Sequence, residues 1–223
     1  MRLVRVMCSG RIDLEFILRA FAKGQDGVFI GGCRLGECNY TTHGNFDALA
    51  VTHMGKKILE KIGLNPARLR IEFMSGADGN LLAEKTDEFT EEIKGLGSLG
   101  SSEGLNDESG RQILKVRLEA AQNMVPYLRL AERERLRVSE KTAGAYESFF
   151  TSSEFDRLFD EVFSDLWAMG QIMVLLKKSP LSTGDISALL KLSPSKVSNY
   201  MNRSSRLGWV RYDPAENRYR PAV

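Results

Sequence analysis

No apolar run in this sequence approaches the roughly 18 residues that a membrane-spanning helix needs, which argues against an integral membrane protein. Met1-Arg2 leads into only a short apolar stretch before Cys8, so a secretory leader is not expected and the chain reads as cytoplasmic. Cysteine is scarce, three in 223 residues, and histidine scarcer, with two. That is too few for a disulfide framework, and in a reducing compartment such thiols stay reduced, bind metal or react. Strong net charge is also missing. At +2 overall the chain as a whole is not a polyanion binder. No Ser/His/Asp, Cys/His or paired-carboxylate arrangement stands out, which gives a hydrolytic enzyme little support. Neither G-x-G-x-x-G nor P-loop spacing is present to cradle a phosphate.

What is present is concentrated. The composition, 43% hydrophobic and 27% charged, supports a globular core. Residues 170–223 hold nine Lys/Arg against three Asp/Glu, a net +6, which leaves the remainder at −4. A basic C-terminal module on a mildly acidic body suggests two jobs.

Periodicity predicts strands at Arg2–Met7, Val28–Ile30 and Leu69–Met74, alternating with helices over Ile12–Phe21, Gly44–Ile62 and Leu81–Ile93. The expected fold class is α/β, a small three-stranded parallel sheet of Rossmann or flavodoxin-like type. Residues 95–110 are rich in Gly and Ser, and the linker is set at 98–110. A helical connector is expected over 111–165, broken or kinked at Pro126. Its Arg/Glu-rich part, Tyr127–Val138, reads as a solvated, salt-bridged face. Its aromatic stripe, from Phe149 to Phe163, is expected to dock on another domain or chain. From residue 166 the order is three helices and a β-hairpin, which is that of a winged helix-turn-helix. The expected division is therefore 1–97, 98–110, 111–165 and 166–223.

All three thiols fall just past a predicted strand. Cys8 follows the first, and Cys33 and Cys38 lie in the loop after the second, with four residues between them. In a parallel sheet such ends line one crevice. Thiolate is a soft ligand that prefers iron–sulfur clusters, zinc or copper(I), and Cys-x4-Cys is wider than the pairs of a zinc finger. Three thiols are one short of the usual four, and His43, five residues past Cys38, is the better histidine candidate to complete the set. Gly31, Gly32 and Gly36 allow the backbone to wrap closely round a bound group. The plainer alternatives are that Cys8 is a small buried residue and that His43 and His53 are ordinary surface or core histidines.

Several separate motifs occur in order across residues 2–97: Val6-Met7-Cys8-Ser9-Gly10-Arg11-Ile12-Asp13, Gly27-Val28-Phe29-Ile30-Gly31-Gly32-Cys33, Gly36-Glu37-Cys38-Asn39-Tyr40, Gly44-Asn45-Phe46, Gly63-Leu64-Asn65-Pro66-Ala67-Arg68-Leu69-Arg70 and Glu88-Phe89. Through them the chain resembles the delta subunit of methyl-viologen-reducing hydrogenase, also called the hydrogenase iron–sulfur subunit. The resemblance implies a ferredoxin-like carrier of a [2Fe–2S] cluster. In that family the carrier joins a hydrogenase or formate dehydrogenase to the flavin subunit of heterodisulfide reductase within an electron-bifurcating complex. Cys8, Cys33 and Cys38 match family cysteines residue by residue. Family members carry a further strand and a Cys-x-x-Cys-type motif upstream, which this sequence does not include. One expectation is that Met1 is not the true start, a selenocysteine codon having been read as a stop. The other is that the cluster has been lost.

In the C-terminal module the expected recognition helix carries Lys196, Asn199, Tyr200, Arg203 and Arg206, and the wing adds Arg211 and Arg218. These residue types suit phosphate positioning and base-edge contact. Winged helices also serve as protein docks, and docking is the preferred reading beside an electron carrier. The alternative for the whole chain is a redox-sensing winged-helix transcription regulator.

Overall fold

The computed structural model describes residues 1–40 and 43–222; of residues 131–133, within a helix, the backbone alone is considered. By packing, the chain divides into two units. The first comprises residues 1–118 and 136–156, the second residues 119–135 and 157–223.

The first unit opens with an extended segment and a 3-10 turn, Ser9–Arg11. Helix α1, Leu14–Ala22, begins at Asp13, whose carboxylate accepts from the amides of Glu15 and Phe16. Such a cap satisfies donors that the helix itself cannot. Its buried stripe, Leu14, Ile17, Leu18 and Phe21, meets strand β1, Val28–Gly32, and helix α2, Asn45–Ile62. Strand β2, Leu69–Phe73, pairs with β1 in parallel, Val28 opposite Leu69 and Gly32 opposite Phe73. The core between sheet and helices holds Ile30, Met54, Ile58, Leu59, Ile62 and Leu69. Each such side chain contributes about 1.5–3 kcal/mol of burial. Helix α3, Gly79–Leu96, follows β2 and covers β1 through Phe89, whose ring lies 5.6 Å from that of Phe29.

The expected strand at Arg2–Met7 does not form, so among the described residues the sheet of this unit has two strands and not three. Leu3, Val4 and Met7 are 86%, 81% and 97% exposed. A strand exists through its ladder, and β-propensity alone does not hold one.

Residues 98–105 are anchored. Arg68, fully buried, pairs with Glu103 at 2.7 Å and donates to the carbonyls of Asp26, Leu96, Gly97 and Ser98 and to the Ser102 hydroxyl. One guanidinium thus gathers the end of α3 and the Gly/Ser segment round β2, using its planar fork of donors.

Helix α4, Glu108–Glu134, runs through Pro126 without a break. Ala120, Ala121, Met124, Val125 and Leu128 are buried on either side of the proline, and this packing outweighs the missing hydrogen bond. Of the salt-bridged face expected over 127–138, Arg135 pairs with Glu161 at 2.7 Å; the side chains of 131–133 lie outside the described residues. Helices α5, Ala143–Phe150, and α6, Ser153–Lys178, carry the aromatic stripe. Phe150 and Phe155 are buried in the first unit against Tyr146 and Phe149, and Phe159 and Phe163 are buried in the second. Phe150, Phe155, Phe159 and Phe163 are covered by this chain's own residues, so the expectation that the stripe docks on another chain is corrected.

The second unit ends in α7, Thr183–Leu190, α8, Pro194–Arg206, and a hairpin of β3, Val210–Asp213, and β4, Arg218–Pro221. Ile172, Leu176, Ile186, Val197, Met201 and Val210 form its core. Ser182 and Asp185 make a capping box for α7, and Ser193 caps α8 ahead of Pro194. Leu181 bridges to Tyr219 and adds a short third member to the wing. Among the described residues no helix is long and apolar enough to cross a membrane.

Candidate functional site

Two backbone approaches assemble the thiol site in the first unit. The Cys8 arm lies against the loop before α2 at Gly10. A Cβ there would stand 2.7 Å from the Gly44 carbonyl oxygen and 2.9 Å from that of His43. Gly44 in turn faces Cys38, since its own Cβ would fall 2.4 Å from Cys38 Sγ and 2.4 Å from the Tyr40 carbonyl oxygen. Any other residue at either position forces the loop apart. Ser9 completes the junction, its Oγ 3.1 Å from where a Cβ of Gly32 would be.

The three cysteines are free, partly buried and strung round Cys38. Cys33 and Cys8 both neighbour Cys38 in its electrostatic surroundings. Burial pushes the Cys38 thiol up, but the backbone amides of Asn45 and Tyr40, with the Cys33 and Cys8 thiols, bring it below its ordinary value. Burial raises the Cys33 thiol, and its hydrogen bond to Cys38 and the charge there raise it further. Cys38 is thus the more readily ionised of these two thiols, set before the N-terminus of α2 where backbone N–H groups favour negative charge.

Asn45 fastens the loop. Buried to 1% exposure, it donates from Nδ2 to the carbonyls of Cys33 at 2.8 Å and Arg34 at 2.7 Å. Arg34 pairs with Asp78 at 2.6 Å, and the Met74 amide donates to Gly32 at 2.8 Å. The loops after β1 and β2 are therefore joined at the C-terminal ends of the parallel strands, where crevices form in α/β sheets. The Ser75 amide, with Arg34, holds the Asp78 carboxyl below its usual range.

Of the positions expected from sequence, Cys8 and Cys33 both neighbour Cys38, but the three form no set placed to hold a metal ion. His43 is exposed, its Nδ1 3.2 Å from Asp47 Oδ2. Gly36 has the left-handed φ of +87° that glycine permits, whereas Gly31 has open space around it. Gly10, Gly44 and Asn45 carry no site role that the sequence alone reveals. Their signal is the short Gly-Asn step before an apolar helix, which patterning alone does not distinguish from a helix start.

The donor set can be compared with the iron–sulfur group that the family implies. Soft thiols with backbone amides aimed at one of them match such a group in kind. In number they supply three of four ligands, and among the described residues no set of three or more His, Cys, Asp or Glu side chains is arranged to hold a metal ion.

In the second unit the outward face of α8 presents Ser195, Lys196, Ser198, Asn199, Asn202 and Arg206. Tyr200 and Arg203 turn inward to Asp165 on α6, Tyr200 through its hydroxyl at 3.2 Å and Arg203 as an ion pair. Burial and the Asp165 charge raise the Tyr200 phenol. On the wing Arg211 is exposed, Arg218 donates to the Pro180 carbonyl at 3.3 Å, and Arg220 pairs with Glu216 at 2.5 Å. Five of the seven expected contact residues remain outward. Tyr200 and Arg203 do not.

A thiol-bearing α/β unit and a winged-helix unit define the class, an α/β domain joined to a helix-turn-helix module. Residues 1–97 match the family model described as methyl-viologen-reducing hydrogenase, delta subunit. The iron-sulfur subunit of the F420-non-reducing hydrogenase of Archaeoglobus profundus is 45% identical over 96 residues, which are 43% of this chain and 69% of that protein. The vhu iron-sulfur subunit of the F420-non-reducing hydrogenase of Methanococcus maripaludis is 44% identical over 96 residues, 43% of this chain and 71% of that protein. The chain belongs to this hydrogenase delta-subunit family. It is also 45% identical over 100 residues to one subunit of the ferredoxin:CoB-CoM heterodisulfide reductase of Methanosarcina mazei, but spans only 12% of that protein's length. Residues 169–203 match the model described as bacterial regulatory protein, arsR family.

Proposed function

We propose that this chain is an electron-transfer protein in which Cys8, Cys33 and Cys38 ligate a [2Fe–2S] cluster. Its fourth ligand would come from outside the three thiols. The observation that carries the reading is the seating of the Cys8 arm on Gly44 at Gly10, and of Gly44 on Cys38 Sγ, within the residues that match the hydrogenase family. When bound, such a cluster supplies one-electron exchange. The chain's own part is to hold the thiols, to favour thiolate at Cys38 through the amides of Asn45 and Tyr40, and to shield the group with the loops after β1 and β2. The protein does no bond chemistry itself. The names of the relatives support a hydrogenase and a heterodisulfide reductase as the complexes it joins; the resemblance adds a formate dehydrogenase as an alternative donor and a flavin subunit as the acceptor.

Iron and acid-labile sulfide per chain, measured on protein purified without oxygen, test this directly. About two of each are expected, and Cys33→Ser should remove them. No iron in the full chain, alone or with its flavin partner, overturns the reading.

A second reading, a redox-sensing transcription regulator, draws on the exposed Asn199, Asn202 and Arg206 of α8 and on the match to the arsR family. Salt-dependent affinity for duplex DNA that changes with the state of the thiols would support it.

A further inference from the structure

We propose that Asn45 is the positioning residue of the thiol site, setting the span between Cys33 and Cys38. The proposal rests on reading these thiols as a ligand set. Asn45 is the first residue of α2 and is almost fully buried. A buried side-chain amide at a helix start ordinarily caps its own helix, and this one does not. Both donor hydrogens of Nδ2 go to the cysteine loop, one to the Cys33 carbonyl and one to the Arg34 carbonyl. Asn45 therefore grips the loop at Cys33 by its side chain, while the backbone just before it lies against Cys38. Gly44, immediately before it, removes the Cβ that would otherwise push Cys38 away, and Gly10 seats the Cys8 arm on His43 and Gly44. The thiols are referred through Asn45 to a helix packed into the core by Met54, Ile58 and Leu59.

The side-chain contribution can be removed without changing shape. Asn45→Asp replaces the donor by a carboxylate oxygen facing two carbonyls, and Asn45→Leu removes it altogether. The probe is phenylarsine oxide, which closes two nearby thiols on one arsenic with loss of water, used on the full chain freed of metal. Peptide mass identifies the bridged pair. Wild type should form the Cys33–Cys38 bridge at one equivalent, and both variants should bind the arsenical about 10- to 100-fold more weakly, the range seen when a ligand's supporting partner is lost. Thr52→Val deletes another buried polar group of the same helix, the Thr52 hydroxyl bonded to the Ala48 carbonyl, and should leave arsenical binding unchanged. Iron and sulfide are measured in parallel. Wild type that takes no iron, alone or with its flavin partner, yet bridges arsenic, with weakened bridging in Asn45→Asp, would sink the cluster reading and leave the role of Asn45 standing. Bridging in both Asn45 variants as tight as in wild type overturns the proposal. So does a loss in Thr52→Val equal to theirs, since the effect would then be one of general stability.

Discussion

The two units hold their functional side chains by opposite means. In the first, the three thiols lie where backbone meets backbone, at Gly10 and Gly44, and a buried amide fixes the loop between them. In the second, the outward residues of α8 and the wing stand on a conventional apolar core, and Arg203 beside them is held by Asp165. A site made by close approach tolerates no added atom, because its geometry is its packing. A site made by exposed charge tolerates substitution and answers to salt. The same chain therefore carries one region in which sequence change breaks geometry and one in which it adjusts affinity.

The comparison is broken most severely at Arg68. Arg68→Met should destabilise the first unit by about 3–5 kcal/mol, since Glu103 is left desolvated without its partner. Amide exchange at β2 and α3 reports the loss. Protection there equal to wild type would show that residues 98–105 are held by something else.

Acid should act on the same unit through His53, which stacks on Phe150 at 4.7 Å. Burial, with the charge of Lys56, lowers its pKa from 6.5 to about 4. The unfolded chain then binds the proton first, so stability is full above about pH 6.5 and falls as the pH drops towards 4, by up to about 3 kcal/mol. Denaturant midpoints of the metal-free chain across that window should show the slope, and His53→Asn should flatten it.

At Gly44 the added atom of Gly44→Ala meets Cys38 Sγ and the Tyr40 carbonyl oxygen. A cost of about 1–3 kcal/mol is expected, with loss of iron uptake out of proportion to it. Gly31→Ala, in open space, serves as the contrast and should keep iron content unchanged.

The smallest change belongs to the second unit. Asp165→Asn frees Arg203 and Tyr200, and if duplex DNA is a ligand the log–log salt slope should steepen by about 0.9, one further phosphate contact. Fluorescence anisotropy on a labelled duplex would measure it. No binding by either protein would remove the regulator reading and favour a protein dock.

Much of this is legible in the residues alone. The helices of both units, the strands at Val28 and Leu69 and the order of the winged helix follow from apolar period and caps, which are local properties. The strand expected at Arg2–Met7 fails for the complementary reason: its residues have the right propensity and no neighbour to pair with. The aromatic stripe reads as free because period shows which face is apolar and not what covers it. The cysteines can be marked as a group by their places after predicted strands. Their support cannot, because Asn45 reaches Cys33 across twelve residues and Arg68 reaches Glu103 across 35.

What the amino-acid sequence determined by itself is the supply: where the helices start and stop, which loop carries the thiols, and where basic charge collects. What the tertiary structure decided is the assignment of partners. It put Gly44 under Cys38, Asn45 across the cysteine loop, Arg68 inside a ring of carbonyls and Arg203 on Asp165. Propensity and period act within a few residues, whereas contact between distant segments is settled only when the whole chain has packed.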